Sequence, residues 1–377
     1  MSIDFATLQG LTIPEGIVTE IKDAAGNVIW SALGTSGNVI LEVQKIVADT
    51  YAGSTKYTGE EFIILDIYPK SGGTVNVTYG GLTKTITDDG TSEDPNAQQV
   101  YFGTFYGVSD SVVTPASGIL TIEGDYSAFS CGSSYKNDKY SSTRAWCVVR
   151  VVDWGGVEKI PDAMFGGLTY TNTMIVDAGR MPDIVTTLPG YMFSGCSNLI
   201  KIGLPNSMTS AGISAFSGCT SLKHLHVPKK WKVEPSQVSS AVSLTDFTVS
   251  ADNEYHSAQN GVLFNKDRTE LICCPKGRVD CIIPDGVTTI GGSALSGCSN
   301  VTNVTIPDSV TKIGVSAFNL KEGFTRTVTM RSTTPAFISS NTFDEVGTNN
   351  IIVPVGSGAT YKAAAGWSNY ADYITEG

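Results

Sequence analysis

The chain has 377 residues, 41% of them hydrophobic and only 16% charged, which describes a folded protein with ample core rather than a disordered one. A net charge of −11 and a pI of about 4.8 work against binding to nucleic-acid phosphates. No run approaches the length of apolar residues that a membrane span needs, and the opening Met-Ser-Ile-Asp-Phe has neither the basic nor the apolar region of a secretory signal.

The 40 glycines, with Thr and Ser scattered between short Val/Ile runs, favour strands and tight turns. Residues 1–33 are expected to carry two short strands, Ile17 to Ile21 and Val28 to Trp30, around the turn Asp23-Ala-Ala-Gly-Asn27. A lone hairpin is marginal in water, so this one needs a docking partner, either its own chain or a larger assembly. The run from Ile3-Asp-Phe-Ala-Thr-Leu-Gln-Gly through Val28-Ile-Trp30 resembles the opening of gut-bacterial prophage and phage tail-associated proteins. That resemblance implies a docking segment for assembly into a virion or cell envelope.

After the linker Ala32-Leu-Gly-Thr-Ser-Gly-Asn38 come six candidate strands: Val39–Val47, Phe62–Tyr68, Thr74–Tyr79, Leu82–Thr87, Val100–Phe105 and Ile119–Glu123. Gly80-Gly81 between two alternating runs is a hairpin signal. Lys70-Ser-Gly-Gly73 and the acidic run Asp88 to Pro95 read as loops. The run lacks a calcium-loop frame and reads as solvated. Regular short strands with turn signals predict a β-sandwich-like domain over 34–140.

The polar stretch Gly132 to Thr143 is the expected junction, and Trp146 to Trp154 alternates like the first strand of a second domain. From there a repeat governs the chain. Phe193-Ser-Gly-Cys-Ser-Asn-Leu199 returns 23 residues on as Phe216-Ser-Gly-Cys-Thr-Ser-Leu222, and again as Leu295-Ser-Gly-Cys-Ser-Asn-Val301. A second column, Leu204-Pro205, Val227-Pro228, Ile283-Pro284 and Ile306-Pro307, keeps the same offset. A third places an apolar residue five positions before each turn: Ile160 before Phe165, Ile290 before Leu295, Ile313 before Phe318, Ile338 before Phe343. Val233 before Val238 marks Val238-Ser-Ser-Ala-Val-Ser-Leu244 as a degraded copy. A fixed period in this range predicts a solenoid of strand-plus-turn units. No unit buries enough alone, so neighbours and end caps must complete it.

The solenoid carries an insertion at about 251–280. There Gly261-Val-Leu-Phe and Glu270-Leu-Ile-Cys flank Asn265 to Thr269 and predict a β-hairpin. At the far end, Ser357 to Gly366 reads as a short helix with Ser357 as N-cap, and Trp367, Tyr370 and Tyr373 come next to cover the last repeat. Cys196, Cys219 and Cys298 share one repeat column and are expected inside as small apolar residues. Cys273, Cys274 and Cys281, and Cys131 with Cys147, leave bridges or a metal site open, although their spacings match no zinc pattern.

The repeats, among them Ile283-Pro-Asp-Gly-Val-Thr-Thr-Ile-Gly-Gly-Ser-Ala-Leu-Ser-Gly-Cys-Ser-Asn-Val301, resemble the BspA-type leucine-rich repeats of bacterial surface proteins. So do the insertion, with Asn260-Gly-Val-Leu-Phe-Asn-Lys-Asp, and the ending Val353-Pro-Val-Gly-Ser-Gly-Ala-Thr-Tyr-Lys362. The resemblance covers residues 144–377. It implies a mainly β molecule whose part from 141 to 377 is a leucine-rich repeat solenoid with short helical turns and a C-terminal helical cap. It also implies binding outside the cell, at a cell surface, without catalysis and without a cofactor.

Side-chain alternation along each strand sends two columns outward: Lys201, His224, Asp246, Asn303, and Gly203, His226, Thr248, Thr305. Such a face is where solenoids meet partners. His224 and His226 lie two residues apart, with no third metal ligand evident. Next to them Lys229-Lys230-Trp231-Lys232 is the one dense basic–aromatic cluster. Trp231 could stack on a sugar while the lysines meet an acidic glycan; alternatively, Trp231 packs on a neighbouring repeat. Asp246 with Glu234 or Glu254 forms no glycosidase pair of fixed separation, and no nucleophile triad or phosphate loop is present. The expected function is recognition of a cell-surface glycan or protein, by a phage or prophage tail-associated receptor-binding protein or by a bacterial adhesin; a glycan-active enzyme is the third reading, kept only because β-rich modules accompany such enzymes.

Overall fold

A computed structural model describes residues 20–22, 28–31, 37–44, 46–47, 61–88, 98–105, 108–109, 117–130, 148–158, 160, 164–165, 177–212, 214–239, 241–320, 324–339, 341–343 and 348–377. The turn Asp23–Asn27, most of the acidic run, the junction 132–143, Cys131 and Cys147 lie outside these residues. The fold is mainly β, a solenoid of stacked coils with few helices. Among the described residues no helix is long and apolar enough to cross a membrane.

β1 (Glu20–Lys22) and β2 (Val28–Ser31) pair antiparallel, and β2 lies against β12 (Val148–Asp153). Next come β3 (Val39–Gln44), β4 (Ile46–Val47), β5 (Glu61–Pro69), β6 (Thr74–Tyr79), β7 (Leu82–Thr87), β8 (Gln98–Phe105), β9 (Val108–Ser109), β10 (Ser117–Gly124) and β11 (Tyr126–Ser130). The stretch read as one strand, Val39–Val47, is divided between two sheets. β3 pairs with β10 and β12, whereas β4 pairs with β5. Gly80 and Gly81, at φ 58° and 81°, close the two-residue β6–β7 hairpin, a turn that needs positive φ at both central positions. Val39, Leu41, Val75, Val77, Leu120 and Ile122 of one sheet share a core with Leu65, Ile67, Val100 and Phe129 of the other.

The first sheet does not stop at the repeats. β12 pairs antiparallel with β3 on one side and parallel with β13 (Asp177–Arg180) on the other, and β13 pairs with β15 (Lys201–Gly203). Lateral pairs such as β14 (Thr187–Leu188) with β16 (Ser210–Ala211) tie successive coils. The strand side continues through β17 (His224–Val227) and β18 (Asp246–Val249). The insertion supplies β19 (His256–Gln259), β20 (Val262–Asn265) and β21 (Glu270–Cys273). The expected β20–β21 hairpin is present. β19 adds a second hairpin through Asn260-Gly261, and β21 continues parallel into β22 (Thr289–Ile290). β23 (Asn303–Ile306), β24 (Lys312–Ile313), β25 (Thr325–Met330), β26 (Phe337–Ile338), β27 (Thr348–Val353) and β28 (Ile374–Glu376) complete the two sheets of the second half.

The repeat turn has a repeating cause. Tyr191, Ser214, Ser293, Ser316 and Asn341, each two residues before the buried anchor, have φ of 56–59°, and Gly195, Gly218 and Gly297, two after it, have φ of 70–76°. The anchors stack: Phe165 on Phe193 at 5.6 Å, Phe193 on Phe216 at 6.1 Å, and Phe318 on Phe343 at 5.2 Å. Phe129 and Trp154 close the first stack from the N-terminal side. Cys196, Cys219 and Cys298 are fully buried, and each thiol donates to a carbonyl of the preceding coil, Phe165, Phe193 and Cys274 respectively. All six described cysteines are free thiols.

The degraded copy at Val238 departs from this geometry. α1 (Pro235–Val238) replaces the left-handed turn, and the core divides here into two clusters. In the second cluster Arg326 is buried. Its guanidinium donates to the carbonyls of Val301 (2.9 Å) and Cys298 (2.7 Å), which offsets the desolvation of a charge.

At the C-terminal end α2 (Gly358–Ala363) follows Ser357, whose hydroxyl donates back to the Pro354 carbonyl instead of capping the helix. Glu376 takes the capping role: its carboxylate accepts from the amides of Gly356 and Gly358, and these bonds lower its pKa. Trp367 is fully buried with its indole donating to the Ala336 carbonyl, Tyr370 is buried, and Tyr373 stays exposed.

Candidate functional site on the strand face

β17 and β18 run parallel in register, His224 beside Asp246 and His226 beside Thr248. Leu225, Val227 and Phe247 turn into the core, so His224, His226 and Thr248 face outward. His224 Nδ1 is 3.3 Å from Asp246 Oδ2, which also accepts from the Thr245 hydroxyl at 2.7 Å. Asp246 Oδ1 is 3.5 Å from Arg278 Nη1, and Arg278 Nη2 reaches Asp280 Oδ1 at 2.8 Å. Neither Glu234 nor Glu254 takes part. The Arg278 side chain is 15% exposed and is held further by the carbonyls of Thr245 and Asp280. Gly261 makes room for this pair: a Cβ there would sit 2.4 Å from Asp246 Oδ1. His226 shares a 3.0 Å hydrogen bond with the Thr248 hydroxyl, and burial lowers its pKa. Among the described residues no group of three His, Cys, Asp or Glu is arranged to hold a metal ion.

The insertion interrupts the outward columns. Lys201, exposed on β15, belongs to the sheet of β12 and β13, and Asn303 and Thr305 lie on β23 beside Thr327 and Thr329 of β25. Between the halves, residues 278–283 leave a cavity of about 320 Å³ lined by Asp280, Ile282, Asn303, Thr305 and Arg331 among others. Arg331 is itself 3.3 Å from Asp285. Sequence reasoning found Asn303 and Thr305 through their column but missed Arg278, Asp280 and Arg331, which stand outside the strand register.

The basic–aromatic cluster needs correction. Trp231 is fully buried, its ring 6.4 Å from Phe216 and its Nε1 donating to Gln237 Oε1 at 3.2 Å, so it offers no face to a sugar. The cause lies in the period. In each copy the residue three after the proline bonds back to that proline's carbonyl: Val185, Met208, Trp231, Val287 and Val310. All five are buried. The 23-residue spacing from Met208 was the signal that identifies the column. Asn253, also buried, fastens this turn to the insertion, donating to the carbonyls of Pro228 and Trp231 and accepting from the amides of Tyr255 and His256. The lysines do not converge on one spot. Lys229 lies 3.8 Å from Asp252 and Lys232 4.0 Å from Glu234, while Lys230 is exposed.

Among curated proteins no match was found. Solved structures are similar in part. One is a leucine rich cell surface protein of Faecalibacterium prausnitzii, 26% identical over 48% of this chain and 54% of that one, with a TM-score of 0.36. Another is the pneumococcal vaccine antigen PcpA, 14% identical over 59% and 76%, with a TM-score of 0.34. A third, a leucine-rich repeat protein of Bacteroides ovatus, is 20% identical over 59% and 62%, with a TM-score of 0.28. The chain thus spans about half the length of the first. No catalytic family is indicated. Six copies of the BspA type leucine rich repeat region match residues 152–262 and 278–360, just over half of the sequence, and the chain belongs to that family.

Proposed function

We propose that this is a non-catalytic binding protein that acts outside the cell, recognising a cell-surface glycan or protein through the outward strand residues Lys201, His224, His226, Asp246, Thr248, Asn303 and Thr305. The observation that carries the reading is the strand-face cavity, where hydroxyl, amide, carboxylate and guanidinium groups surround the exposed Ile282. Such a mixture suits hydroxyl-rich or peptide ligands; the one thiol in the lining, Cys281, is buried, and no histidine lines the cavity to activate it. The similarity to a leucine rich cell surface protein agrees with this location. In this reading residues 34–140 form a β-sandwich-like spacer, and the helical segment after Ser357 caps the solenoid.

The test is binding of the 377-residue protein to a glycan panel and to intact bacterial and epithelial cells, beside the double variant Thr248→Arg, Asn303→Arg. Both sites are exposed, so thermal stability should hold while binding falls at least tenfold. Unchanged binding by the double variant would remove the strand face from the reading.

The second reading, a phage or prophage tail-associated receptor-binding protein with residues 1–33 as its docking segment, is favoured by the N-terminal resemblance. Fractionation of an induced culture separates the two readings. Co-sedimentation with particles supports the tail protein, and signal on particle-free cells supports the adhesin. Purely cytosolic signal contradicts both.

A further inference from the structure

The repeat predicts what should fill every level of the stack, and at one level the filling is missing. Phe165, Phe193 and Phe216 on one side and Leu295, Phe318 and Phe343 on the other are the buried turn anchors. Between them the degraded copy supplies only Val238 and, in place of the cysteine, Ala241. The insertion after it has no Phe-x-x-Cys turn at all. It returns to the stack through the short turn Cys274-Pro-Lys-Gly277, whose ends bond to Ala294 and Leu244. The deficit leaves a cavity of about 380 Å³ that shares no lining residue with the one on the strand face.

Its chemistry is uneven. Val238, Ala241, Leu244 and Cys273 provide an apolar floor. Lys276, half-buried, lines its edge, with the ammonium directed to Gly297, 2.9 Å from where a Cβ there would be, at the border with a neighbouring cavity of about 510 Å³. Lys276 has no carboxylate partner among the described residues, and the hydroxyls of Ser293, exposed at the rim, and Ser296, half-buried, make no hydrogen bond to them. One cation and two free donors around an apolar floor match a carboxylate carried on a small hydrophobic body. The lining contains no carboxylate to accept an ammonium, which disfavours free amino acids and amines. It contains no aromatic ring either, so it lacks the platform on which sugars stack.

We propose that this cavity is a binding site for a small monocarboxylate with an apolar aromatic or aliphatic body, the carboxylate held by Lys276, Ser293 and Ser296. The site is independent of whatever the strand face binds. The anion replaces none of the contacts that hold the fold, so an empty site leaves the solenoid intact. Occupancy ties the two core clusters together across their junction.

Isothermal titration of the full chain with 3-phenylpropanoate, 3-phenylpropanol and 3-phenylpropylamine tests the assignment. The carboxylate is expected to bind, the alcohol about tenfold more weakly, and the amine not at all. Lys276→Met should bring the carboxylate down to the affinity of the alcohol without altering the melting temperature. Ser296→Leu, which fills the rim, should abolish both. Equal affinity of wild-type protein for carboxylate and alcohol overturns the proposal. So does absence of carboxylate binding at millimolar concentration. Because the three probes are compared on wild-type protein, the test stands even where a variant folds poorly.

Discussion

At position 231 an indole fills the slot that Val185, Met208, Val287 and Val310 fill in the other copies, and its neighbour Asn253 gives its amide nitrogen to that turn and its Oδ1 to the amides of Tyr255 and His256. Trp231→Ala is therefore expected to destabilise the protein by about 3–5 kcal/mol, the range for emptying a large buried aromatic site, as read by denaturant unfolding. Loss of binding in that variant would report unfolding, not a contact. A stable Trp231→Ala variant with lost binding would contradict the buried placement. A few residues away, buried His256 accepts the Val233 amide on Nε2 at 2.9 Å, which assigns its proton to Nδ1. Burial lowers its pKa in the folded state; nearby Glu234 raises it and Lys232 lowers it by smaller amounts. A depressed folded value means that the unfolded chain takes up the proton first. The contribution of His256 is full above its ordinary value of about 6.5 and fades as pH falls through the folded value. Melting temperature should drop below about pH 6.5, and the drop should shrink in His256→Phe. An unchanged slope in that variant would free His256 of the role.

Elements whose partners lie close in sequence were legible, and those whose partners lie far away were not. The turns announce themselves because Phe-x-Gly-Cys repeats its φ requirements every 23 residues, and β6 and β7 do so through alternation and Gly80-Gly81. The break between β3 and β4 at residue 45 was illegible, since it depends on which distant strand each half meets. β19 was legible but missed: Asn260-Gly261, at φ 50° and 77°, is the strongest short hairpin signal in the insertion. That turn also supports the candidate site, which gives it a test. Gly261 and Gly286 both hold positive φ, 77° and 95°, but only Gly261 is crowded, by Asp246 and Arg278. Gly286→Ala should cost about 1 kcal/mol for backbone strain alone. Gly261→Ala should cost more and also weaken strand-face binding, because the new methyl displaces Asp246 from Arg278. Equal costs with equal binding would show that the close approach positions nothing.

For the molecule as a whole, the seams do not fall where the repeats begin. β12 is laddered to β3 and to β13, and Phe129 sits within ring contact of Trp154 and Phe165, so the first coils use the preceding β-rich region as their end cap. The core divides instead near the insertion, between one cluster running from Val39 to Cys273 and another from Val262 to Ile374. In a stack whose stability is a sum over neighbours, a weak interface separates cooperative units. Hydrogen exchange should therefore resolve two units, one spanning β3 to β18 and one spanning β22 to β28. Truncation gives the sharper measurement. A chain starting at residue 141 keeps every repeat but loses β3, the antiparallel partner of β12, and Phe129, one of the two rings that close the phenyl stack. Amides of β12, β13 and β15 should lose protection in that fragment, while those of β23, β25 and β27 keep theirs. If all the repeats stayed protected, the solenoid would be self-capped, and the boundary read from the sequence near residue 140 would also be the physical one.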